Sequence, residues 1–435
     1  MANMRPFQIV ILAVFGLAAL LGLVLFASFQ GFGRNASEVG AVTIWGMLPE
    51  SAFDPALVEL KQMHKEYGKV TYTAFEAATF DIQLANALAS GTGPDLILIN
   101  QEHLLTERSR LSVIPYSSIT ERAFRDSYLP IFDTYLSTEG TYGIPLLVDP
   151  LVLYYNPTAL SAAGVVQPPS TWEAVTGLTP TLTRITNAQA ISRSAIALGT
   201  YENVAHARAI LSLLFFQAGQ PIIEKTQLGL RSTLGESGGD TFGSSAAESA
   251  LNFYTEFANP TKTIYTWNRS LPDSRQAFTR GDSVFYLGYA SERASIAAAN
   301  PNLPFDMAMV PQPATASAKT TYGKAYAFAL PKASKNASGA YEVAFAMTAK
   351  DILPALARGA GMAPGVRSFL TPSTEDLYEP VYYPQALVAR AWLSPAPASL
   401  DAVFAAMIGN VTSGRMNVKQ ALDSADQALN AALSQ

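Results

Sequence analysis

After the N-terminal segment, segments with the apolar pattern of buried strands alternate with segments that have the apolar spacing of helices. Short apolar runs, which are typical of buried strands, occur at 41–45, 70–75 and 94–99. Between these runs, residues 54–67 and 79–90 place apolar side chains at helical spacing, which predicts amphipathic helices. Strands and helices that alternate in this way are typical of an α/β fold with a largely parallel sheet.

The same mixed pattern continues to the end of the chain. It predicts further strands at 144–155, 195–198, 283–287, 306–310 and 324–330. It predicts helices near 120–136 and at 205–218, 244–258, 273–280, 290–299, 339–349, 399–409 and 417–433. The 435 residues exceed the length at which a single hydrophobic core stops growing, so we expect two α/β lobes.

The run YGIPLLVDPLVLYYNPTAL at 142–160 carries a charge where the pattern predicts a buried strand. Its residues are almost all apolar, yet Asp149 stands between Val148 and Pro150. A carboxylate without a partner is costly to bury. Asp149 is therefore a candidate functional residue.

The N-terminal segment predicts a membrane anchor. Residues 7–29 form an uncharged apolar run that is long enough to cross a bilayer as a helix. Arg5 precedes the run and places that end in the cytoplasm. We expect residues 1–30 to form a cytoplasmic tip and transmembrane helix, and residues 31–40 a linker to an extracytoplasmic part. A cleaved signal peptide is the alternative, although the run is long for one and lacks a good cleavage site.

Composition excludes several classes of function. The chain is 49% hydrophobic and 14% charged with a net charge of -5, which fits a globular protein and argues against nucleic-acid binding. It has no cysteine, so disulfides, thiol catalysis, thiolate metal sites and a lipid-modified cysteine are excluded. Its three histidines are not at metal-ligand spacing, and we expect no metal and no cofactor.

A hydrolase motif is present but lacks its context. GESGG at 235–239 matches the Gly-x-Ser-x-Gly nucleophile elbow, which requires a preceding strand and a histidine later in the chain. No apolar strand precedes it, and no histidine follows His206. We therefore predict no catalytic residues and no enzymatic activity.

Aromatic and polar residues at predicted strand ends indicate a ligand site. Trp45 ends the first strand, and Asn100, Gln101 and Glu102 follow the third. In parallel α/β sheets, ligands bind outside the carboxyl ends of the strands. A flat ring beside amide and carboxyl groups suits a sugar, whose apolar faces stack on rings while its hydroxyls bind polar groups.

Several stretches resemble the family 1 extracellular solute-binding proteins, the group that includes maltose-binding protein. VTIWG, ALASGTGPDLILIN and YGIPLLVDPLVLYYNPTALSAAGVVQPPSTWEAV are similar to motifs of this family, and further similar stretches follow in the family's order from residue 41 to 435. The resemblance implies the two-lobe periplasmic-binding-protein fold (type II) with hinge crossovers. Lobe one would comprise 41–148 and 306–348, and lobe two 149–305 and 349–435.

The family's function would then be the capture of a carbohydrate, in particular an oligosaccharide, between two closing lobes. Its usual partners are the permease subunits of an ABC importer, and a monomer is expected. The positions that match the family's ligand-contacting positions are Trp45, Asn100, Gln101, Glu102, Asp149 (the hinge acid), Tyr289, Tyr322, Met362 and Arg367. Tyr289 replaces the commoner tryptophan.

Other functions stay open at this stage. The same fold could serve as a membrane-anchored sensory or scaffold ectodomain, or bind a solute other than a sugar. Tyrosine pairs bind ferric iron in related proteins, and Tyr154–Tyr155 and Tyr382–Tyr383 are such pairs. The first pair lies in a predicted strand, where alternation directs the two rings to opposite faces and disfavours a shared metal.

Overall fold

The computed structural model describes residues 39–227, 229–236 and 244–434. The predicted anchor at 7–29, most of the predicted linker and part of the GESGG run lie outside the described residues. Within the described ranges, no helix combines the length and the apolar character that crossing a bilayer requires.

The strands and helices follow the predicted alternation. The strands are β1 (Val42–Gly46), β2 (Val70–Ala74), β3 (Leu96–Asn100), β4 (Ile114–Pro115), β5 (Gly140–Thr141), β6 (Ile144–Tyr155), β7 (Arg184–Ile185), β8 (Ile191–Ile196), β9 (Ile223–Thr226), β10 (Gly229–Ser232), β11 (Ser283–Tyr289), β12 (Asp306–Ala308), β13 (Thr321–Ala329), β14 (Ala363–Pro364) and β15 (Ala389–Arg390). The helices are α1 (Glu50–Met63), α2 (Ala77–Ala89), α3 (Gln101–Glu107), α4 (Glu121–Ser127), α5 (Pro157–Ala162), α6 (Trp172–Leu182), α7 (Ala207–Gln217), α8 (Ala246–Glu256), α9 (Ser274–Arg280), α10 (Arg293–Ala299), α11 (Ala337–Met347), α12 (Leu353–Ala360), α13 (Glu379–Leu387), α14 (Pro397–Thr412) and α15 (Val418–Leu433).

A mixed sheet connects the two lobes. Its strand order is β2-β1-β3-β13-β6-β11-β8-β7, with β12 and β14 paired to β6 and β15 paired to β13. Strands β1, β2 and β3 are parallel, whereas β13 is antiparallel to both β3 and β6. The predicted α/β class is therefore confirmed, and parallel pairs occur among β1, β2 and β3 and again between β8 and β11.

Strand β6 belongs to both lobes. From Ile144 to Pro150 it pairs with β13, and from Leu151 to Tyr155 it pairs with β11. Every residue of β6 except Tyr155 is buried, as its nearly unbroken apolar sequence predicts. Asp149 lies beside the point where the pairing partner changes, so the charge sits at the passage from one lobe to the other.

Short elements lie close to the predicted lobe boundaries at 306 and 349 and pair or pack across them. Strand β12 pairs with Leu153–Tyr155 of β6 and so belongs to the second lobe. Helix α12 packs on α1 in the core of the first lobe, and β14 pairs with Leu147 and Val148. The chain crosses between the lobes more often than the apolar pattern reveals, because a two- or three-residue strand has no period of its own.

Candidate functional site

The turn from β3 into α3 positions an acidic side chain at the carboxyl edge of the sheet. Asn100 ends β3, and its side-chain oxygen accepts the N–H of Glu102 at 2.9 Å, which caps the helix. Gln101 is fully buried, and its Oε1 accepts the N–H of Ala325 at 2.7 Å. Asn100 and Gln101 are thus held by hydrogen bonds within the protein, and both position Glu102.

Glu102 is a buried carboxylate with three compensating neighbours. Its Oε1 accepts the Tyr322 hydroxyl at 2.9 Å and lies 3.2 Å from Nη2 of Arg208. Burial opposes ionisation of Glu102, but the charges of Arg208 and Lys324 and the Tyr322 hydrogen bond outweigh it and lower the pKa of this carboxyl. Glu102 therefore carries its charge inside the protein.

Arg208 extends this cluster across the two lobes. It lies in the first turn of α7, and its Nε lies 3.2 Å from Oδ1 of Asp401 in α14. Tyr201 also donates its hydroxyl to this Asp401 oxygen at 2.6 Å. The sequence analysis missed Arg208 and Asp401. A lone charge within the apolar segment ARAILSLLFF was the available signal for Arg208.

Asp149 has a protein partner that the sequence does not reveal. Its Oδ1 accepts the backbone N–H of Ser291 at 3.1 Å, and its Oδ2 accepts the Ser291 hydroxyl at 2.6 Å. Burial raises the pKa of Asp149 to about 7, although both Ser291 bonds and Lys324 act in the opposite direction. Asp149 thus ties β6 to the short 3₁₀ turn Ala290–Glu292 that follows β11.

Tyr289 ends β11 at the same site and is almost fully buried. The ammonium of Lys324 stands 4.7 Å from the centre of its ring, and the His206 ring meets it edge-on at 4.8 Å. Glu292 accepts the N–H of Tyr289 at 2.7 Å and also lies 2.7 Å from Nε2 of His206. In this conformation Lys324 occupies a ring face on which a sugar could stack.

His206 adopts an uncommon backbone conformation beside these groups. Its φ of 60° lies in the left-handed region, and the residue directly precedes α7. Strained backbone of this kind is held in place by its surroundings and clusters at functional sites. Here the Glu292 contact and the Tyr289 ring hold it.

Trp45 lies at the carboxyl edge of the first lobe. Its ring is half-buried and packs against Phe75 with the ring centres 4.5 Å apart. Phe75 directly follows β2, so the two rings share the edge of the sheet at which β3 ends in Asn100. A half-exposed ring pair at this edge offers a flat apolar surface.

Two of the predicted site residues are engaged elsewhere. Met362 is buried in the first-lobe core with Leu356 and Leu146. Arg367 donates to the backbone carbonyl of Tyr128 at 3.1 Å and is exposed. The structure brings the other seven predicted residues to the carboxyl edge of the first-lobe strands or to the crossing in β6.

The tyrosine pairs considered for iron binding have separate structural roles. Tyr154 is fully buried and donates to the carbonyl oxygen of Tyr289 at 2.7 Å, whereas Tyr155 donates to Asp306 at 3.1 Å. The rings of Tyr382 and Tyr383 meet edge to face. In the part of the chain that the structure describes, no group of three or more acidic or histidine side chains could hold a metal ion.

The site therefore combines charged hydrogen-bonding groups with aromatic rings between two lobes. Glu102 supplies acceptor oxygens, and Arg208 and Lys324 supply donors. Trp45 supplies flat apolar surface, whereas the Tyr289 ring is covered by Lys324 in this conformation. Such a set suits a polar ligand that has several hydroxyl groups and apolar faces.

Comparison with known proteins identifies the family. Residues 57–378 match the model of the family described as bacterial extracellular solute-binding protein. A relative from Brucella abortus (strain 2308), which is named as a binding protein, is 23% identical over 162 residues. That match covers 36% of this chain and 38% of the relative's length.

Solved structures with the same fold cover nearly the whole described chain. An ABC transporter solute-binding protein from Thermotoga lettingae, solved with α-D-tagatose, has a TM-score of 0.68 and 20% identity, and the match covers 90% of this chain and 99% of that one. The cyclic α-maltosyl-1,6-maltose binding protein from Arthrobacter globiformis has a TM-score of 0.70 and 19% identity, with 90% and 98% covered. At these identities the likeness shows the fold, a two-lobe α/β solute-binding architecture.

Proposed function

The chain belongs to the family of bacterial extracellular solute-binding proteins, and on that premise we propose that it captures a carbohydrate between its lobes for an ABC importer. The observation that carries the proposal is the cluster of Glu102, Arg208 and Tyr322 beside Tyr289, because it joins ionised hydrogen-bonding groups to rings at the lobe crossing. Sugars are recognised by this combination. The proposal involves no catalytic step.

The ligands of the structurally similar proteins support the choice of carbohydrate. The Thermotoga lettingae protein was solved with tagatose, and the Arthrobacter globiformis protein is named for a cyclic maltosyl-maltose. The half-exposed Trp45 ring supports a ligand with apolar faces, and the Tyr289 ring would join it only after Lys324 moves from its face. We propose an oligosaccharide that spans from Trp45 in the first lobe toward Tyr289 in the second.

The cellular arrangement is part of the same proposal. The family is extracellular, and the apolar run at 7–29 would hold the protein at the membrane with its lobes outside. Permease subunits of the importer would then bind the closed form of the protein, which would act as a monomer. The lobes would close about β6 and β13, the long strands at the crossing between them.

Titration calorimetry on the purified full-length protein tests the proposal. The panel contains tagatose, maltotriose, maltotetraose and cyclic maltosyl-maltose, with galacturonate as an acidic sugar. We expect saturable binding of at least one neutral sugar with no change in the sugar recovered afterwards. Absence of binding to every sugar, or turnover of the bound sugar, would overturn the proposal.

A further inference from the structure

Arg208 occupies a position in the site that its two ion pairs do not fully explain. Its Nη2 lies 3.2 Å from Glu102 in the first lobe, and its Nε lies 3.2 Å from Asp401 in the second. Only 16% of its side chain is exposed. The guanidinium is thus held from two sides in the gap between the lobes.

The third nitrogen of Arg208 lacks a hydrogen-bond partner. Nη1 is buried, and it forms no hydrogen bond with any of the described residues. A buried N–H without a partner is unfavourable, and a guanidinium presents its donors in a rigid fork. Because Nη2 and Nε are fixed by Glu102 and Asp401, the direction of Nη1 is fixed as well.

The surrounding charges indicate which acceptor would suit Nη1. Glu102 and Asp401 carry two negative charges and Arg208 and Lys324 carry two positive ones, so a charged ligand would add an uncompensated negative charge beside the buried Glu102. The neutral hydroxyl of Tyr322 is hydrogen-bonded to Glu102 beside the guanidinium. A neutral oxygen, such as a hydroxyl or a ring oxygen of a sugar, fits this environment.

We propose that Arg208 determines specificity for a neutral carbohydrate, by donating from Nη1 to an uncharged oxygen of the ligand while Nη2 holds Glu102 across the lobes. The proposal rests on the proposed function and adds a residue, an atom and a ligand class to it. Arg208 would then contact the ligand through Nη1 and the first lobe through Nη2. Glu102 shares the site, since it would accept from ligand hydroxyls beside the guanidinium.

Two variants at Arg208 distinguish the contribution of the guanidinium geometry from that of its positive charge. Arg208→Lys keeps the charge that faces Glu102 but lacks the fork, and Arg208→Gln removes both. Arg122→Gln is the control, because Arg122 is a surface arginine with 92% of its side chain exposed. Thermal unfolding of each variant establishes that it folds before its binding is measured.

Calorimetry with the tightest-binding neutral sugar of the panel tests the ligand contact. We expect both Arg208 variants to bind it about tenfold or more weakly than the unaltered protein, and Arg122→Gln to bind it unchanged. Affinity of Arg208→Lys equal to that of the unaltered protein would overturn the role of Nη1. Tighter binding of galacturonate than of every neutral sugar would overturn the neutral ligand class.

Small-angle scattering without any sugar tests the link between the lobes separately. We expect Arg208→Gln to have a larger radius of gyration than the unaltered protein and the Arg122→Gln control. An unchanged radius would overturn this part of the inference. If the unaltered protein binds no sugar at all, the proposed function fails with the ligand contact, whereas the scattering result still decides whether Arg208 links the lobes.

Discussion

Asp149 accepts two hydrogen bonds from Ser291, one from the backbone N–H at 3.1 Å and one from the hydroxyl at 2.6 Å. Asp149 lies in the strand shared by the lobes, and Ser291 lies in the turn directly after Tyr289. The pair therefore fixes Tyr289, a residue predicted to contact ligand, relative to the crossing strand. The sequence analysis expected Asp149 to contact ligand. The structure shows that both of its oxygens already serve a role within the protein.

Replacement of Asp149 should reduce stability. Asp149→Ala leaves the partly buried N–H and hydroxyl of Ser291 without their acceptor, and we expect the free energy of unfolding to fall by about 1–3 kcal/mol. Urea denaturation followed by circular dichroism measures the change. Asp126→Ala serves as the control, because 72% of the Asp126 side chain is exposed on α4. Equal stability of the two variants would contradict the structural role of Asp149.

The raised pKa of Asp149 should make stability depend on pH. Its pKa is about 7 in the folded protein and 3.8 in an unperturbed carboxyl, so the folded state retains a proton that the unfolded state loses between these values. Stability from this group is present below the unfolded pKa and declines as pH rises toward about 7, at up to about 1.4 kcal/mol per pH unit. Urea titrations of the unaltered protein and of Asp149→Asn across this range isolate the effect. Parallel curves for the two proteins would refute it.

Trp45 should contribute to binding more than to folding. Its ring is half-buried against Phe75 at the edge of the sheet, so Trp45→Ala should weaken sugar binding by about 1–3 kcal/mol if the ring stacks on the ligand. Calorimetry with the tightest-binding sugar measures this loss. Tyr341→Ala is the matched control, because Tyr341 is a half-buried ring on α11 that stacks on Phe345. Equal affinities of the two variants would refute a ligand contact at Trp45.

Glu102 and Arg208 should be energetically coupled. Removing either partner of this buried ion pair leaves the other charge less compensated, whereas removing both does not. In a double-mutant cycle of Glu102→Gln and Arg208→Gln, we expect a coupling free energy of about 1–3 kcal/mol in urea denaturation. Additive effects would show that the two side chains do not interact in solution.

Gly288 should be intolerant of a side chain. A Cβ at this position would lie 2.8 Å from Oε1 of Glu292 and 2.4 Å from the Tyr286 ring, so Gly288→Ala must displace the carboxylate that holds Tyr289 and His206. We expect a destabilisation of about 1–3 kcal/mol together with weaker sugar binding. Gly177→Ala is the control, since Gly177 lies inside α6 with open space around it and should gain about 0.5–1 kcal/mol. A neutral Gly288→Ala would contradict the close approach of Glu292.

The local spacing of apolar residues predicted most of the long strands and helices. The strand predicted at 144–155 is observed as Ile144–Tyr155, and the helix predicted at 417–433 is observed as Val418–Leu433. Both patterns are strong because each apolar side chain faces the core at the period of its own element. Short elements such as β12 and β14 carry too few residues for a period, so their pairing with β6 could not be predicted from the apolar pattern.

The predicted site residues differ in their surroundings. Trp45 lies in β1 and Glu102 directly follows β3, at the strand ends that the sequence indicates, whereas the amide of Gln101, which has the same position relative to β3, is engaged with β13. Met362 matched a family position, yet it packs in the first-lobe core. Strand order predicts which edge a residue reaches, whereas the partner of its side chain depends on elements that arrive from elsewhere in the chain.

The sequence by itself determined the α/β class, the crossing strand β6 and the presence of a charge within it. Only the tertiary structure decided that Ser291 donates hydrogen bonds to this carboxyl group. The same is true of the ion pairs by which Arg208 joins Glu102 to Asp401. The physical reason is the separation along the sequence over which each kind of interaction acts. Burial and periodicity act on neighbouring residues, but a buried charge is stabilised by whatever donor the folded chain brings within about 3 Å, and that donor can lie at any distance along the sequence.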